Sequence, residues 1–543
     1  MGSAIMRVFT LCSVAMNDNF SQSQHFRKTT VMSDRGIVAA QHRVAAQAGA
    51  AVLAQGGDCV DAVVATSFAL GAVEPWMSGI GGGGAMVLYR AKEQRYEVID
   101  FGMCSSHSLN PADYPITGEG VAADIFPWPR VKDDLNLHGP MSIAVPGVVA
   151  GMDSAHQRYA RLSWRDVVTP AVELAGQGLL VDWYSTINIA TAAAQLRNYP
   201  DAAAEFLRDG LPPVPMWGIK SSVRLPRPRY AATLATIASE GAKTFYDGDV
   251  ARSLSHDVNA AGGCLTTRDL ADYRASVLAS LAIPYRGAMV HATPQLTAGP
   301  TLAHALNLMS QWQPHGDRPD AAAYVNYASA LQSAYRERLD DMGDAHGRRA
   351  IGAQHLAPSC TSHFSVVDRD GNMAAVTQTL LGIFGSKFVA PQSGILMNNG
   401  IMWFDPEPNK ANSLAPGKRC LCNYTPVIAQ VDNDTRVAIG ASGGRRILPA
   451  VAQLVSFAVD YRMDLDKALH TPRIDASEGP VVIGDERLDA KSHAALASNF
   501  DYERARLQEL PLKFACPSVV MRVADRNSGA TEIFQPWGDA VAG

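Results

Sequence analysis

The chain has 543 residues, of which 47% are hydrophobic and 18% are charged, the composition of an ordinary globular protein rather than a disordered or fibrous one. Its net charge of -5 comes from interspersed acidic and basic residues, which argues against a nucleic-acid-binding stripe and against a polybasic membrane patch. We therefore expect a small-molecule or protein partner, with no nucleic acid and no membrane.

The cysteines and the apolar stretches exclude several further classes. Eight cysteines are too few for a disulfide framework in a chain of this length, so we expect the cytoplasm, with the periplasm or secretion as alternatives. Cys420 and Cys422 form a C-x-C without a second pair at zinc-site spacing, so neither a metal nor another cofactor is expected. The weakly charged stretch 62–89 contains Glu74, Pro75 and a glycine run, which argues against a membrane-spanning helix.

Residues 1–33 read as a flexible leader, because the sequence shows the pattern of helices and strands only from about Met32 onward. The segment "HRVAAQAGAAVLAQGG" predicts a helix that ends at Gly56-Gly57, and Asp58 is placed to cap a second helix. The segments "AMVLYRA" and "RYEVIDF" predict a strand hairpin. The run Gly81–Gly84 before it lacks the G-K-[ST] of a phosphate loop, so it indicates close backbone packing.

The remainder divides into a helical middle and a strand-rich end. Residues 150–345 show mostly helical patterning with proline-rich interruptions. Two hairpins follow, "SHFSVVDRDGNMAAVTQTL" with its turn at Asp370-Gly371 and "TPVIAQVDNDTRVAIGAS", and "GGRRILPAVAQLVSFAVDYRM" then predicts a glycine turn that opens a helix. Helices, two central sheets and further helices predict a layered α+β sandwich.

The stretch "SCTSHFSVVDRDGN" places Thr361 at the head of a predicted strand, after an exposed loop. A hydroxyl is a weak nucleophile that needs an adjacent base. If the chain cleaves itself between Cys360 and Thr361, the new α-amino group, with a pKa near ~8, lies within reach of its own hydroxyl. One residue would then supply both nucleophile and base, whereas simple strand packing is the alternative explanation for a threonine here.

Several long motifs occur in a fixed order around this threonine: "AAQAGAAVLAQGGDCVDAVVA", "GIGGGGAMVLY", "VPGVVAGM", "TSHFSVVDRDGNMAAVTQTLLGIFGS", "SGILMNNGIMWFD" and "GASGGRRI". Together they resemble the gamma-glutamyltransferase family of N-terminal-nucleophile hydrolases, from about Asp34 onward. The resemblance implies a four-layer αββα sandwich with a large helical portion in the N-terminal chain. It also implies self-cleavage into a large chain, 34–360, and a small catalytic chain, 361–543, paired as a heterodimer, with further dimerisation left open.

The resemblance assigns roles to individual residues. Thr361 would be the nucleophile, its amine the base, and Thr379 the hydroxyl that contacts the nucleophile and assists cleavage. Gly443 and Gly444 match the oxyanion-hole pair, and a Gly-Gly turn that opens a helix independently exposes amides at the positive end of the helix dipole. His363 lies on the strand face of Thr361, where it either tunes the amine or is a hydrogen-bonded core histidine, and the second reading is favoured.

The residues that hold a γ-glutamyl group in the family are changed here. The Arg of its "DFRE"-like motif is replaced by Gly102, an Asn by Leu381, an Asp by Trp403, and a Ser-Ser pair by Cys422 and Asn423. A buried charge that is left unpaired costs about 2 to 5 kcal/mol. We therefore expect weak γ-glutamyl binding and a drier, flatter acyl pocket.

Two basic residues remain as candidate anchors in this pocket. Arg445 and Lys387 stand where the family often has small residues, so each either meets a substrate carboxylate or is a solvated surface charge, whereas Arg446 matches a common family position. The sequence thus predicts an amide hydrolase that acts through an acyl-enzyme on a small non-glutamyl substrate, similar to oxamate amidohydrolases and cephalosporin acylases. A gamma-glutamyltransferase or glutathione hydrolase is the alternative, and a catalytically silent binding protein is an alternative of another class.

Overall fold

The structure is a computed structural model of the uncleaved chain, and it describes residues 25–121, 128–215, 222–341, 359–505 and 514–543. Within these ranges the strands, in chain order, are β1 (Val31–Ser33), β2 (Ile37–Ala40), β3 (Gly83–Arg90), β4 (Arg95–Phe101), β5 (Ile116–Val121), β6 (Pro129–Val131), β7 (Leu179–Val181), β8 (Val223–Leu225), β9 (Ser276–Ala279), β10 (Leu281–Tyr285), β11 (Ala288–Ala292), β12 (Ser359–Val367), β13 (Met373–Gly382), β14 (Val427–Gln430), β15 (Thr435–Ile439), β16 (Ala441–Ser442), β17 (Ile474–Glu478), β18 (Val481–Asp485), β19 (Asp501–Ala505), β20 (Cys516–Val523), β21 (Arg526–Thr531) and β22 (Asp539–Ala542).

The α-helices of the described ranges are α1 (Arg43–Ala54), α2 (Cys59–Val73), α3 (Val148–Tyr159), α4 (Trp164–Gln177), α5 (Trp183–Leu196), α6 (Pro200–Phe206), α7 (Pro228–Glu240), α8 (Lys243–Asp247), α9 (Asp249–Ala260), α10 (Thr267–Asp272), α11 (Gly299–Ser310), α12 (Ala321–Asp341), α13 (Ile447–Val459), α14 (Leu465–His470) and α15 (Ala490–Asn499).

Two antiparallel sheets form the centre of the described structure. Sheet A has the strand order β22-β2-β12-β13-β3-β4-β9, and sheet B has the order β1-β21-β20-β15-β14-β11-β10, with β16 pairing at one end of β20. Smaller sheets join β17-β18-β19, β5-β6 and β7-β8. Each of the two central sheets therefore combines strands from before and after residue 360.

Three apolar cores divide the molecule into four layers. Between the two sheets, Ile37 and Val87 of sheet A pack with Ile428 and Val520 of sheet B. The outer face of sheet A packs against α1 to α4 and α7 to α9, and the outer face of sheet B packs against α11 to α13. The order helix, sheet, sheet, helix confirms the predicted αββα sandwich.

The local predictions that rested on turn chemistry are confirmed. β12 and β13 form a hairpin whose turn contains Gly371 at a φ of 85°, a left-handed conformation that glycine adopts without strain. β14 and β15 form the second hairpin, in which the Asp432 carboxylate accepts from the backbone N–H of Thr435. The glycine run is close-packed, because a Cβ on Gly82 would lie 2.1 Å from the Thr379 carbonyl oxygen.

The predicted leader over residues 1–33 is corrected at its C-terminal end. β1 pairs with β21 at the edge of sheet B, and the Lys28 Nζ donates to the carbonyl oxygen of Gly538 at 2.6 Å. Residues 25–33 thus belong to the folded body, because backbone pairing and a buried ammonium fix them. Residues 1–24 lie outside the described part of the chain.

Asp58 connects the first helical pair to sheet A. Its carboxylate accepts from the Val60 N–H at the start of α2 and receives both arms of the Arg90 guanidinium, at 2.7 and 2.9 Å, while only 1% of the side chain of the aspartate is exposed. Asp61 completes the capping box by accepting from the Asp58 N–H. A helix cap and a buried ion pair therefore depend on one carboxylate.

We expect Asp58→Ala to lower the free energy of unfolding by about 3 to 5 kcal/mol, because Arg90 then stays buried without its partner. Urea-induced unfolding followed by circular dichroism, in a Thr361→Ala background that keeps the chain in one piece, measures this loss. Asp249→Ala is the matched control, since it removes the exposed pair between Asp249 and Arg252 at the start of α9 and should change stability little. Equal, small shifts of the two midpoints would contradict the interpretation.

Candidate active site

A β-bulge at the start of the hairpin positions Thr361. The ladder pairs Cys360 with Leu381 but Ser362 with Gln378, so β13 carries one extra residue opposite Thr361. A bulge bends the strand locally and changes the direction of its side chains. The Thr361 side chain lies next to the bulge with 5% of its surface exposed, at one end of the space between the two sheets.

The Thr379 hydroxyl makes three hydrogen bonds at this bulge. It accepts from the Thr361 hydroxyl at 3.2 Å and from the Leu381 N–H at 2.8 Å, and it donates to the carbonyl oxygen of Cys360. A hydroxyl has one proton and two lone pairs, so all of its capacity is used. Leu381 adopts a φ of 89°, an unfavourable conformation for a branched residue, and its amide thereby reaches the Thr379 oxygen.

Through the Thr379 hydroxyl, this arrangement links the Thr361 hydroxyl to the carbonyl group of Cys360. The carbonyl that precedes Thr361 is the one that its Oγ1 would attack in an N-to-O acyl shift, and the proton of Thr379 polarises that carbonyl. The structure thus brings together three residues that the sequence singled out: Cys360, Thr361 and Thr379.

The predicted oxyanion turn lies beside β12. Gly443 and Gly444 have φ values of 133° and 59°, in the left-handed region that favours glycine. They follow β16, and a 3₁₀ turn over Gly444–Arg446 opens α13. Within the described residues neither glycine N–H donates to a backbone carbonyl, so both amides are available to an anion at a helix N-terminus.

Gln41, which the sequence reading missed, connects the nucleophile strand to this turn. Its Oε1 accepts from the His363 N–H at 3.2 Å, and its Nε2 donates to the Ser442 hydroxyl. One buried amide therefore fixes β12 relative to the residue that precedes the glycine pair.

His363 is a core histidine, as favoured. Its Nδ1 lies 2.9 Å from the Thr377 Oγ1 and its Nε2 lies 3.1 Å from the Ser365 Oγ. Burial lowers the pKa of His363 to about 3, so the ring is neutral at physiological pH. The imidazole packs on Gly440, where a Cβ would lie 2.2 Å from the ring. Its role is to fill and order the space between the sheets.

Four of the changed pocket positions converge. Leu381, Trp403 and Cys422 belong to one buried apolar cluster, and the indole of Trp403 packs on Tyr424 with ring centroids 5.3 Å apart. A Cβ on Gly102 would lie 3.9 Å from the Cys422 Sγ. The polar clamp of the family is thus replaced by a contiguous apolar and aromatic surface.

A guanidinium lies close to the backbone of Gly102. The Arg419 Nη1 donates to the Gly102 carbonyl at 3.1 Å, and Nη2 donates to the Arg274 carbonyl at 2.7 Å. Asp100 accepts from the Gly102 N–H and lies 3.7 Å from the Arg419 Nη1. This arginine therefore supports the loop, and two of its donors bind backbone carbonyls.

Arg338 binds the fifth changed position, Asn423, and a second buried arginine, Arg445, lies close to Arg338. The Arg338 Nη2 donates to the Cys422 carbonyl at 2.7 Å and to the Asn423 Oδ1 at 3.2 Å, and burial lowers the pKa of Arg338 to about 10. Arg445 is 6% exposed, with its guanidinium carbon 5.5 Å from the Tyr335 ring centroid. Arg445 is therefore a buried cation, and its reading as a solvated surface charge is wrong.

Lys387 is also buried rather than solvated. It has a φ of 63°, and its Nζ donates to the Gly385 carbonyl at 2.9 Å. Burial raises the pKa of the Cys360 thiol, and the charge of Lys387 opposes that rise, so the ammonium lies near the cleavage position.

Two further buried residues near the site, Arg338 and Glu74, were not among the site residues predicted from the sequence. Arg338 lies in the last turn of α12, and no signal in the sequence distinguishes it from a surface arginine. Glu74 is more conspicuous, because it is the acidic residue of a long apolar stretch, and it is fully buried beneath Ser362. A lone acid in an apolar run is the signal that could have identified it.

In the described ranges, His, Cys, Asp and Glu side chains do not gather in groups of three or more that could hold a metal ion. The described helices include none with both the length and the apolar character needed to cross a bilayer.

Comparisons with known proteins agree with this geometry. The chain matches the family model of gamma-glutamyltranspeptidase over residues 45–356 and 347–535. It is 31% identical to the acylase ACY 1 proenzyme of Pseudomonas sp. (strain V22), over 87% of this chain and 88% of the acylase. It is 30% identical to the glutathione hydrolase proenzyme of Escherichia coli (strain K12), over 82% of this chain and 81% of the hydrolase.

A solved structure shows the same fold. The cephalosporin acylase from Bacillus halodurans superposes with a TM-score of 0.83 at 23% identity, covering 97% of this chain and 99% of the acylase chain. The proenzyme relatives imply that the precursor is processed into two chains that stay together. The chain belongs to the gamma-glutamyltranspeptidase family and is an amide hydrolase or acyl transferase of the N-terminal-nucleophile type.

Proposed function

We propose that the precursor cleaves itself between Cys360 and Thr361 and that the mature enzyme hydrolyses the amide of a non-glutamyl acyl group, with Thr361 as its nucleophile. The observation that carries this proposal is the Thr379 hydroxyl, which is bonded both to the Thr361 hydroxyl and to the Cys360 carbonyl. That geometry prepares one particular peptide bond for attack.

Self-cleavage would proceed by an acyl shift. The Thr361 Oγ1 attacks the Cys360 carbonyl carbon, the peptide C–N bond breaks, and the nitrogen takes up a proton to become the α-amine. Water then hydrolyses the resulting ester, which leaves Cys360 as a new carboxyl terminus and Thr361 with a free amine and a free hydroxyl.

Turnover would repeat this chemistry on a substrate. The free amine accepts the hydroxyl proton as Oγ1 attacks the amide carbonyl, and the N–H groups of Gly443 and Gly444 stabilise the oxyanion. The leaving amine takes up a proton as the C–N bond breaks, and water hydrolyses the acyl-enzyme. One residue thus acts in both processes.

The pocket favours a flat acyl group with a polar end. Leu381, Trp403 and Cys422 supply the apolar surface. The Trp403 Nε1 and the Asn423 Nδ2 are buried donors that have no acceptor among the described residues, so a substrate carbonyl or carboxylate would satisfy them. Arg445 lies near Arg338, which bonds the side chain of Asn423, and we infer that its charge acts on that side of the pocket.

A γ-glutamyl amide is the second candidate substrate, and one observation favours it. The Arg419 Nη1 lies 3.8 Å from the position that a Cβ on Gly102 would occupy, so a guanidinium is close to the place where the family carries its carboxylate-binding arginine. Against this reading, Arg419 is already bonded to the carbonyls of Gly102 and Arg274.

We expect Thr361→Ala to abolish self-cleavage and Thr379→Ala to slow it about 10²-fold, the order of loss seen when one oriented donor is removed from a developing oxyanion. Gel electrophoresis of cell-free translated precursor follows the appearance of chains 1–360 and 361–543. Thr379→Ser is the matched control, because it keeps the hydroxyl and should process at close to the normal rate. Normal processing of Thr361→Ala would refute the assignment.

A substrate panel separates the two candidate acyl groups. We expect rapid release of p-nitroaniline from anilides of small planar or dicarboxylic acyl groups and slow release from the γ-glutamyl anilide, because the charged clamp for the glutamyl group is absent. Faster turnover of the γ-glutamyl anilide would establish the second candidate instead.

We expect Arg445→Gln to raise KM about 10- to 100-fold for acyl groups that end in a carboxylate, since a hydrogen bond to a charged group contributes roughly 1.5 to 3 kcal/mol. The kcat should change much less. Arg446→Gln, at the neighbouring and more exposed position, is the control. If the KM for carboxylate-bearing substrates were the same in Arg445→Gln as in Arg446→Gln, Arg445 would have no role in binding the carboxylate.

A further inference from the structure

Behind the two threonines, on the helix-facing side of sheet A, a chain of buried polar side chains links the two catalytic strands. Because side chains alternate along a strand, Ser362 and Gln378 point away from the reaction centre and toward α2. The Gln378 Nε2 donates to the Ser78 Oγ at 3.0 Å, and the Ser78 hydroxyl donates to the Ser362 Oγ at 2.9 Å. The Ser67 hydroxyl donates to the Gln378 Oε1 at 2.6 Å and fixes the orientation of the amide.

This chain ends on the carboxyl group of Glu74. The Ser362 hydroxyl donates to the Glu74 Oε2 at 3.3 Å, and the Oε1 has no hydrogen-bond partner among the described residues. Glu74 is the C-cap of α2 and is 0% exposed. A buried carboxylate normally accepts several hydrogen bonds, so a single long one favours the protonated form. Burial accordingly raises the pKa of Glu74 to about 8.

The groups that face Glu74 from neighbouring elements do not supply a compensating charge. They are Tyr184 of α5, Cys360 of β12 and Cys516 of β20, and burial raises the pKa of each. All three are therefore neutral at physiological pH. The Lys387 ammonium also lies near Cys360, but burial and the Ser362 hydrogen bond are what shift the pKa of Glu74. Nothing in this set therefore stabilises an ionised Glu74.

We propose that Glu74 is a positioning residue for Thr361 and Thr379 that works uncharged, as the terminal acceptor of this hydrogen-bonded chain. It acts through Ser362 and Gln378, which pair with each other across the ladder and adjoin the two threonines in sequence. One cooperative hydrogen-bonded chain fixes Ser362 and Gln378. It therefore also fixes the adjacent bulge, which aligns the Thr361 and Thr379 hydroxyls. The proposal rests on the proposed function, in which those hydroxyls carry the chemistry.

The charge state of Glu74 then limits the reaction at alkaline pH. Attack on the carbonyl creates an oxyanion at the bulge, and an ionised Glu74 would add a second negative charge close by in a low-dielectric interior. Since this pKa is raised, the carboxyl is neutral and permissive below about pH 8 and becomes charged and inhibitory above it. Self-cleavage of the precursor should decline on that alkaline side.

Two substitutions of Glu74 distinguish its role as a hydrogen-bond acceptor for Ser362 from the effect of its negative charge. Glu74→Gln keeps an acceptor for Ser362 and cannot ionise, whereas Glu74→Leu removes the acceptor. Glu240→Gln, at the exposed end of α7, is the matched control. The rates of precursor cleavage in cell-free translation and of anilide turnover are measured from about pH 6 to 10, with circular dichroism to confirm folding.

We expect the unaltered protein and Glu240→Gln to lose about tenfold in the rate of precursor cleavage per pH unit above the Glu74 pKa. Glu74→Gln should match them at neutral pH and lack the alkaline decline, and folded Glu74→Leu should be slower, by at least about tenfold, at every pH. The same alkaline decline in Glu74→Gln, or a folded Glu74→Gln that is inactive throughout, would overturn the proposal.

Ser362→Ala supplies a second test if Glu74→Gln does not fold. It removes the hydrogen bond that favours the ionised carboxylate, so the alkaline decline should move to higher pH, and an unmoved decline would overturn the proposal. Failure of the unaltered precursor to cleave would instead refute the proposed function. Cleavage with an unchanged profile in the Glu74 variants would leave that function standing and reject this inference alone.

Discussion

One hydroxyl group organises the reaction centre: the Thr379 Oγ1 bonds at once to the Thr361 hydroxyl, the Cys360 carbonyl and the Leu381 amide. The first two contacts link the Thr361 hydroxyl to the Cys360 carbonyl, the two groups that react in the proposed self-cleavage, and the third fixes the Thr379 oxygen between them. The bulge between β12 and β13, the left-handed Leu381 and the close approach of the glycine run to the Thr379 backbone all serve this alignment. A shift of the ladder by one residue would turn these side chains to the other face of the sheet.

The reaction centre and the acyl pocket are built differently. The centre consists of neighbouring residues on one hairpin, together with backbone amides at a glycine turn, so its geometry follows from strand pairing and backbone conformation. The pocket is assembled from side chains of separate segments, among them Gly102, Trp403 and Cys422. Side chains on separate segments can be exchanged without disturbing the ladder, so the proposed reaction centre and the proposed pocket could change independently.

The parts of the structure that were predictable from sequence are those determined by local chemistry. The turn at Asp370-Gly371 and the cap at Asp58 follow from the conformational and hydrogen-bonding preferences of single residues. The motif order singled out Thr361 and Thr379, whose hydroxyls lie 3.2 Å apart in the structure.

The remaining features depend on contacts between residues far apart in the chain. The link made by Gln41, the burial of Arg338 and Arg445, and the chain that ends at Glu74 all join distant segments. The separation is 322 residues from Gln41 to His363, 84 from Arg338 to Cys422 and 288 from Glu74 to Ser362. The end of the leader was misplaced for the same reason, since β1 is fixed by β21 and not by its own sequence. Periodicity and turn signals carry no information about such pairings.

The order of strands in sheet A has a consequence for the mature protein. β2 lies between β12 and β22, and β13 pairs with β3, so segments from before and after residue 360 are interleaved through shared backbone ladders. Once the connection is cut, neither piece keeps a complete sheet by itself. Unfolding of the processed enzyme would then be a one-way event, because the covalent tether that guided the interleaving is gone, and the durability of the enzyme would depend on how slowly it opens rather than on its capacity to refold.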